Sequence, residues 1–425
     1  MTPASIEVRI WGKRAGAVAF DQNLGCYVFE YAPAWRKHRI ELAPLMMQVT
    51  AASPIYAFPG LSRHSFKGLP GLLADALPDD FGNELIDAWM SQRGIDKNAV
   101  TTLDRLAYMG KRGMGAMEFR PAKGSHTESS APLQMRELVE SARKVINADI
   151  STDDVAQAAL ANIIRVGTSA GGARAKAVVA WNPATEEIRS GQFEVDPGFE
   201  HWLIKFDGVG KDLELGSSQG YGRIEYAYHL MALAAGIEMS PCRLLIESGR
   251  AHFMTKRFDR HNNQKHHIQT LCAMQHMDYR QRATHAYESL FITAGRLQLS
   301  DRENQQLFLR MAFNVAASNC DDHTKNFAFM LQQDKPWQLA PAYDITYAHN
   351  PKGEWTYQHL MSINGKFDGV LREDLLAVAN RFSVPAAPAL IDQVNQAVTR
   401  WREFTDLAGL SGEDVSRITE NHRGL

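Results

Sequence analysis

Cysteine is scarce: the 425 residues hold four, Cys26, Cys242, Cys272 and Cys320, far apart and never as a Cys-x-x-Cys pair. Neither a disulfide framework nor a thiolate zinc site is suggested. No stretch approaches the roughly 18 consecutive apolar residues of a membrane span, and the N-terminus MTPASIEVRIW lacks the apolar core of a signal peptide. A cytoplasmic protein with no membrane partner is expected. Charge of one sign is missing too: 46 Lys plus Arg stand against 48 Asp plus Glu, a net charge of −2. The whole molecule therefore lacks the basic field of an autonomous nucleic-acid binder, and any DNA contact would be local or borrowed from a partner. What is present, 45% hydrophobic and 22% charged residues, is ordinary globular composition, enough chain for about two or three domains.

Residues 5–31 alternate apolar and polar positions and break at Gly12-Lys13-Arg14 and around Gly25, as hairpin strands do. Helical spacing follows over 71–95 and 98–110, so residues 1–120 read as a small mixed unit. The polar stretch Lys123–Pro132 marks a linker, placed at 121–132. After helices expected at 133–146 and 152–163, short strands follow at 174–181, 201–206, 242–247 and 251–258, interrupted by a helix over 221–235 that Gly236 stops. Residues 133–258 thus form a strand-rich lobe. Residues 259–425 form a mainly helical one, with a hairpin over 327–331 and 337–340. The fold class is α+β and bilobal.

Three motifs carry chemistry. Gly167-Thr-Ser-Ala-Gly-Gly-Ala-Arg-Ala-Lys176 frees its backbone to approach a ligand, as phosphate-binding loops do, although alone it reads equally as an ordinary loop. It is no P-loop: Ala173 stands where the lysine must be, and a strand follows instead of a helix. Lys205, flanked by Trp202, Leu203, Ile204 and Phe206, needs a partner to offset desolvation, and Glu225 on the next helix is the candidate, the other reading being a lysine on an exposed edge and a glutamate on a solvated face. A strand lysine paired with a helix glutamate is the arrangement that holds ATP phosphates in protein kinases. Asn319-Cys-Asp-Asp-His-Thr-Lys-Asn326 sets Asp321 and Asn326 five apart, the kinase spacing of base and metal ligand, and Asp344 follows after the hairpin. A carboxylate accepts the hydroxyl proton, while an amide oxygen and a second carboxylate suit Mg²⁺.

The order GTSAGGARAK, WLIK, MTKRFDR, NCDDHTKN and APAYD resembles the HipA family of bacterial serine/threonine kinase toxins, with LLADALPDDFGN (72–83) in that family's N-terminal domain. The resemblance implies a protein-kinase-like fold using ATP and Mg²⁺. It makes Asp321 the catalytic base, Asn326 and Asp344 the metal ligands, Lys205 with Glu225 the phosphate clamp, and Gly171, Gly172 and Ala173 part of the nucleotide loop. MTKRFDR looks like the hinge, where Lys256 and Phe258 would offer backbone groups to adenine and Asp259 would face the ribose. Ser169 matches the autophosphorylated serine of the family; neighbouring Thr168 is an alternative acceptor, and a serine that only closes its turn is another reading. Phosphate there would add about −1.5 to −2 charge and repel ATP, switching the enzyme off. The loop departs from the family in carrying Arg174 and Ala175 ahead of the lysine. Also implied are a HipB-like helix-turn-helix antitoxin, DNA contact only through that complex, and an aminoacyl-tRNA synthetase target, glutamyl-tRNA synthetase above all. The alternatives are a catalytically inactive kinase-like module acting as an antitoxin-binding co-regulator, and a small-molecule phosphotransferase.

Other features read more simply. His261, His266 and His267 in HNNQKHH suggest a solvated hairpin tip, and His323 an interior structural histidine. Arg400, Arg402, Arg417 and Arg423, interspersed with acids, suggest a solvated helical face.

Overall fold

In the computed structural model, which describes residues 3–78, 80–122, 137, 138, 140, 141, 175–207, 220–247 and 249–425, the early alternation becomes β1 (Ser5–Ile10), β2 (Lys13–Asp21) and β3 (Cys26–Tyr31). Ile6, Val8 and Ile10 point to one buried face, as a period of two requires. With β4 (Ile55–Tyr56) and β5 (Met117–Arg120) they form an antiparallel sheet in the order β4-β3-β2-β1-β5. A Cβ on Gly16 would lie 2.2 Å from the Glu30 carbonyl oxygen, so only glycine lets β2 approach β3 there. The helical stretch expected over 71–95 divides into Gly71–Ala74 and Asp80–Ser91. Pro78 lies in the break, and a proline disfavours the helical conformation in the residue before it. The helix Thr102–Met109 starts at a capping box between Thr101 and Asp104.

A second sheet comprises β6 (Lys176–Trp181), β7 (Ile188–Ser190), β8 (Glu200–Lys205), β9 (Cys242–Glu247) and β10 (Arg250–Lys256), antiparallel in the order β7-β6-β8-β10-β9. Helix Tyr221–Ala234 packs on it so closely that a Cβ on Gly222 would meet the Ala251 carbonyl oxygen at 1.9 Å. The remaining chain is mainly helical, built around Asp301–Ala316, whose residues from Gln306 onward are all buried. The expected hairpin is present as Ala328–Leu331 and Trp337–Leu339, and a third strand, His267–Thr270, pairs with the first of these.

That third strand corrects the reading of HNNQKHH. His261 is exposed at a turn, but His266 and His267 are 6% and 0% exposed. His267 enters the sheet, its ring edge-on to Trp337 and its Nε2 3.1 Å from the Leu42 carbonyl oxygen.

One hydrophobic core runs from the N-terminal sheet (Val8, Phe29, Trp35) through Leu72 and Leu106 to Val179, Trp202 and Ile204 of the second sheet. Another fills the helical lobe. No helix among the described residues is long and apolar enough to cross a membrane. The linker at 121–132 and the helices expected at 133–146 and 152–163 lie almost wholly outside the described residues.

Candidate active site

Strand pairing creates an electrostatic demand that the rest of the site answers. In the β6–β8 register Lys176 stands directly opposite Lys205, and like charges facing each other across a ladder repel. Two carboxylates converge on the same place. Lys205 Nζ lies 2.6 Å from Glu225 Oε1 and also contacts Asp344 Oδ1. The lysine and glutamate side chains are only 13% and 3% exposed. Burial alone would lower the Lys205 pKa, but Asp344 and Glu225 outweigh it and hold the ammonium above its usual range. Burial likewise pushes Asp344 up, and Lys205 and Lys176 reverse this, bringing it to about 2. Asp344 sits in the left-handed region, φ 53°.

The loop after helix Asp301–Ala316 presents two adjacent aspartates oppositely. Asp322 is buried, accepting from Tyr287 Oη at 2.9 Å and the Leu360 amide at 2.7 Å, with His359 Nδ1 2.8 Å away. Asp321 has a 47% exposed side chain, 3.7 Å from His323 Nε2, and turns to the cavity. Asn326 Nδ2 donates to the Asp321 carbonyl at 2.7 Å, which commits the amide nitrogen and leaves Oδ1 as the donor atom for a cation.

Lys205, Glu225, Asp321, Asn326, Asp344, Lys256 and Phe258 all line one cavity of about 390 Å³ between the lobes. Of the two residues expected to meet adenine, the Lys256 amide donates to the Pro241 carbonyl at 2.9 Å and its Nζ reaches Glu200 at 2.5 Å. Its N–H is therefore not one that adenine meets. The Phe258 amide makes no hydrogen bond among the described residues, and its ring stacks on Tyr343. Asp259 requires a correction. It is fully buried, bound by Arg257 and Arg260 and by the Gly115 amide at 2.8 Å, and it does not line the cavity. It ties residues 257–260 to the N-terminal unit; it does not face a ribose. Ser169, Gly171, Gly172 and Ala173 lie outside the described residues.

Sequence reasoning missed Lys176, Lys325, Tyr343 and the wall contributed by the N-terminal unit, including Asp75, Leu77 and Met114. Lys176 was signalled by its place closing the glycine-rich loop. Lys325, Tyr343, Asp75 and Leu77 lie inside the stretches NCDDHTKN, APAYD and LLADALPDDFGN, which did not say that these side chains share one cavity, and Met114 had no local signal.

The donor set suits magnesium. No group of three or more His, Cys, Asp or Glu side chains among the described residues makes a metal cage, and Mg²⁺ typically takes one or two protein oxygens together with substrate phosphates. The Asn326 amide and the Asp344 carboxylate are such oxygens.

Residues 168–401 match the HipA-like C-terminal domain and residues 6–120 the HipA N-terminal domain. The chain belongs to the HipA family. Among solved structures it is similar, at TM-score 0.62 and 14% identity, over 98% of this chain and 94% of that one, to the Shewanella oneidensis MR-1 toxin–antitoxin system of HipA, HipB and operator DNA. A likeness to the Helicobacter pylori proinflammatory kinase CtkA has TM-score 0.33 and 11% identity, covering 52% of this chain and 88% of that one. No curated protein matches the sequence. The HipA fold of this chain is the α+β, two-lobed arrangement that its motifs implied.

Proposed function

We propose that this HipA-family chain is an ATP- and Mg²⁺-dependent serine/threonine protein kinase of the toxin type. The observation that carries the reading is the Lys205 ammonium, held at 2.6 Å by Glu225 and touching Asp344, in a cavity shared with Asp321 and Asn326. Magnesium, when bound, would neutralise charge on the phosphates of ATP. Lys205, kept straight by Glu225, binds the α- and β-phosphates as a fixed cation. Asn326 Oδ1 and the ionised Asp344 carboxylate would hold the metal. Asp321, solvent-facing where Asp322 is sealed, orients the substrate hydroxyl and takes its proton as the oxygen–phosphorus bond forms and the bond to the ADP oxygen breaks. Apolar Met114, Leu203, Phe258 and Ile268 line the cavity and suit a purine ring.

The finer assignments follow from the family. The target is a cytoplasmic protein, by resemblance an aminoacyl-tRNA synthetase such as glutamyl-tRNA synthetase, whose modification halts translation. Ser169 is the autophosphorylation site that switches the enzyme off. A HipB-like antitoxin restrains the toxin and brings it to operator DNA, an assembly of the kind named for the Shewanella complex. The test is incubation of purified protein with Mg²⁺ and γ-labelled ATP, alone and with host lysate. Phosphate is expected on Ser169 and on a synthetase, and Asp321→Ala is expected to abolish both. Undiminished label in the Asp321→Ala protein would remove that residue from its role.

A further inference from the structure

Helix Tyr221–Ala234, which carries Glu225, is fastened to the helical lobe at both ends. Arg223 Nη1 donates to the Ala408 carbonyl at 2.7 Å, Gln393 Nε2 to the Ala235 carbonyl at 3.1 Å and Gln306 Nε2 to the Gly236 carbonyl at 2.8 Å. Between these ends one bond goes elsewhere. Tyr228 follows Glu225 by three residues and is fully buried, with Phe313 and Trp401 both edge-on to its ring. Its hydroxyl donates to the Ala317 carbonyl at 2.5 Å, on the stretch that leads from helix Asp301–Ala316 into the loop bearing Asp321 and Asn326.

Each residue of that stretch is held by a remote part of the chain. The Arg423 amide donates to the Ala316 carbonyl at 2.8 Å, and Ser318 Oγ donates to the Asn421 carbonyl. His422, between those two donors and acceptors in sequence, stands with Nε2 3.3 Å from the Tyr228 hydroxyl. The phenol gives its one proton to Ala317, so it can only accept from that nitrogen, which fixes the Nε2–H tautomer. Ser318 has φ 52°, in the left-handed region that a residue with a side chain occupies only where its surroundings hold it there. Beyond it the Asn319 amide donates to the Asn314 carbonyl and the Cys320 amide to the Ala348 carbonyl, both at 2.9 Å, and Asp321 follows.

We propose, resting on the kinase reading, that Tyr228 is a positioning residue which, together with Ser318 and residues 421–423, fixes the place of Asp321 relative to Glu225 and its partner Lys205. The route from phosphate clamp to base is then three residues of helix, one hydrogen bond and four residues of loop. Tyr228 does not line the cavity. It acts only through Asp321, which takes the hydroxyl proton, and through Glu225, which holds the lysine. A reacting group misplaced by about 1 Å loses up to about a hundredfold in rate, so a bond this far from the phosphates governs turnover.

The test uses the full chain with Mg²⁺-ATP, reading turnover into phosphoprotein beside the dissociation constant of the nucleotide. Tyr228→Phe keeps the ring against Phe313 and Trp401 and deletes only the hydroxyl. It is expected to lower kcat about ten- to hundredfold, with nucleotide affinity held within about threefold because Lys205 and the cavity walls are untouched. Hydrogen exchange of the Asn319 and Cys320 amides is expected to quicken about three- to tenfold, the equivalent of one lost hydrogen bond, while the N-terminal sheet keeps its wild-type rates. Ser318→Gly suits the left-handed backbone and removes the bond to Asn421, and its kcat is expected to fall by a smaller factor, about three- to tenfold. Wild-type kcat in Tyr228→Phe overturns the proposal. A fall in kcat matched by an equal loss of nucleotide affinity also overturns it, since general loosening would give that result. If Tyr228→Phe fails to fold, full turnover in Ser318→Gly overturns it. A wild-type chain that binds Mg²⁺-ATP yet transfers nothing overturns the kinase reading, and unchanged exchange at Asn319 and Cys320 in the variants would separately overturn the tether.

Discussion

Replacing Asp259 by alanine separates a hinge anchor from a ribose contact. Its carboxylate is fully buried and receives Arg257 Nε at 2.8 Å, Arg257 Nη2 at 2.6 Å, Arg260 Nη1 at 2.5 Å and the Gly115 amide at 2.8 Å. The two arginine side chains are themselves 1% and 5% exposed. Burial would raise the pKa of Asp259, but the two guanidinium groups hold it far below the carboxylate range. Deleting the carboxylate leaves two buried cations without a counter-ion, a change that costs about 3–5 kcal/mol when one partner of a buried pair is removed. With about 2.1 cal/mol/K of unfolding entropy per residue, 425 residues melting as one unit convert this into roughly a 3–6 °C fall in Tm. A depressed carboxylate contributes stability that is present above its unfolded pKa near 3.9 and is lost only as pH falls through the lower folded value. The difference between wild type and variant is therefore expected to be flat from pH 5 to 8. Urea and thermal unfolding at several pH values measure it, with nucleotide titration alongside. An unchanged melting temperature together with weakened ATP binding would refute the anchor and restore the ribose reading.

Lys205→Met removes the cation shared by Glu225 and Asp344, so phosphoryl transfer is expected to fall at least a hundredfold and unfolding free energy by about 3 kcal/mol, read by kinetics and urea titration. The adjacent aspartates are expected to part company: Asp322→Ala strands three donors in the core and costs about 3 kcal/mol or more, whereas Asp321→Ala, half exposed, shifts stability by about 0.5 kcal/mol or less. His267, pushed down to about 4 by burial despite its contact with Leu42, stays neutral in the folded chain while the unfolded chain takes a proton near 6.5. Stability is then full above about pH 6.5 and declines as pH falls toward 4, by up to about 3 kcal/mol for this one group. His267→Gln is expected to flatten the difference between urea midpoints at pH 7.5 and 5, and an unaltered pH slope would count against the argument.

What the sequence made legible was local. Alternation placed β1–β3, and the apolar run around Lys205 announced both a strand and its need for Glu225, because both facts sit within about 20 residues. The Asp321–Asn326 spacing was readable since a loop that short places both residues on one cavity wall. The error at Asp259 was also readable in principle. Arg257-Phe258-Asp259-Arg260 sets two guanidinium groups beside the carboxylate, and such flanking saturates an acid instead of leaving it for a ligand. The histidines of HNNQKHH misled because polarity suggested a turn, whereas burial there is decided by Trp337 and Leu42, both remote in sequence. Asp75 lies within LLADALPDDFGN, but nothing local marked its place in the cleft: its partner Thr270 lies 195 residues away, and only the folded chain brings them together.

The polar ties of the N-terminal unit explain why such remote pairings matter to the cleft. Trp11 donates to the Lys265 carbonyl at 2.8 Å, the Gly115 amide to Asp259 at 2.8 Å, and Arg260 to the Gly113 carbonyl at 3.0 Å. Thr270 donates to Asp75 at 2.7 Å, the Gly71 amide to His276 at 3.0 Å, and Ser65 to Asp278. All of them land between residues 259 and 278, the segment that follows the hinge and leads into the helical lobe. Each is worth about 1 kcal/mol net, and the core joining Val8 and Phe29 to Val179 and Trp202 fixes the same unit to the upper sheet. A body bonded to the second sheet through apolar packing and to the post-hinge segment through hydrogen bonds constrains the angle between the lobes. The separation of Lys205, on the upper wall, from Asp321 and Asn326, on the lower, is thus set in part by residues 1–120, and these cannot be removed without exposing the apolar face of the upper sheet.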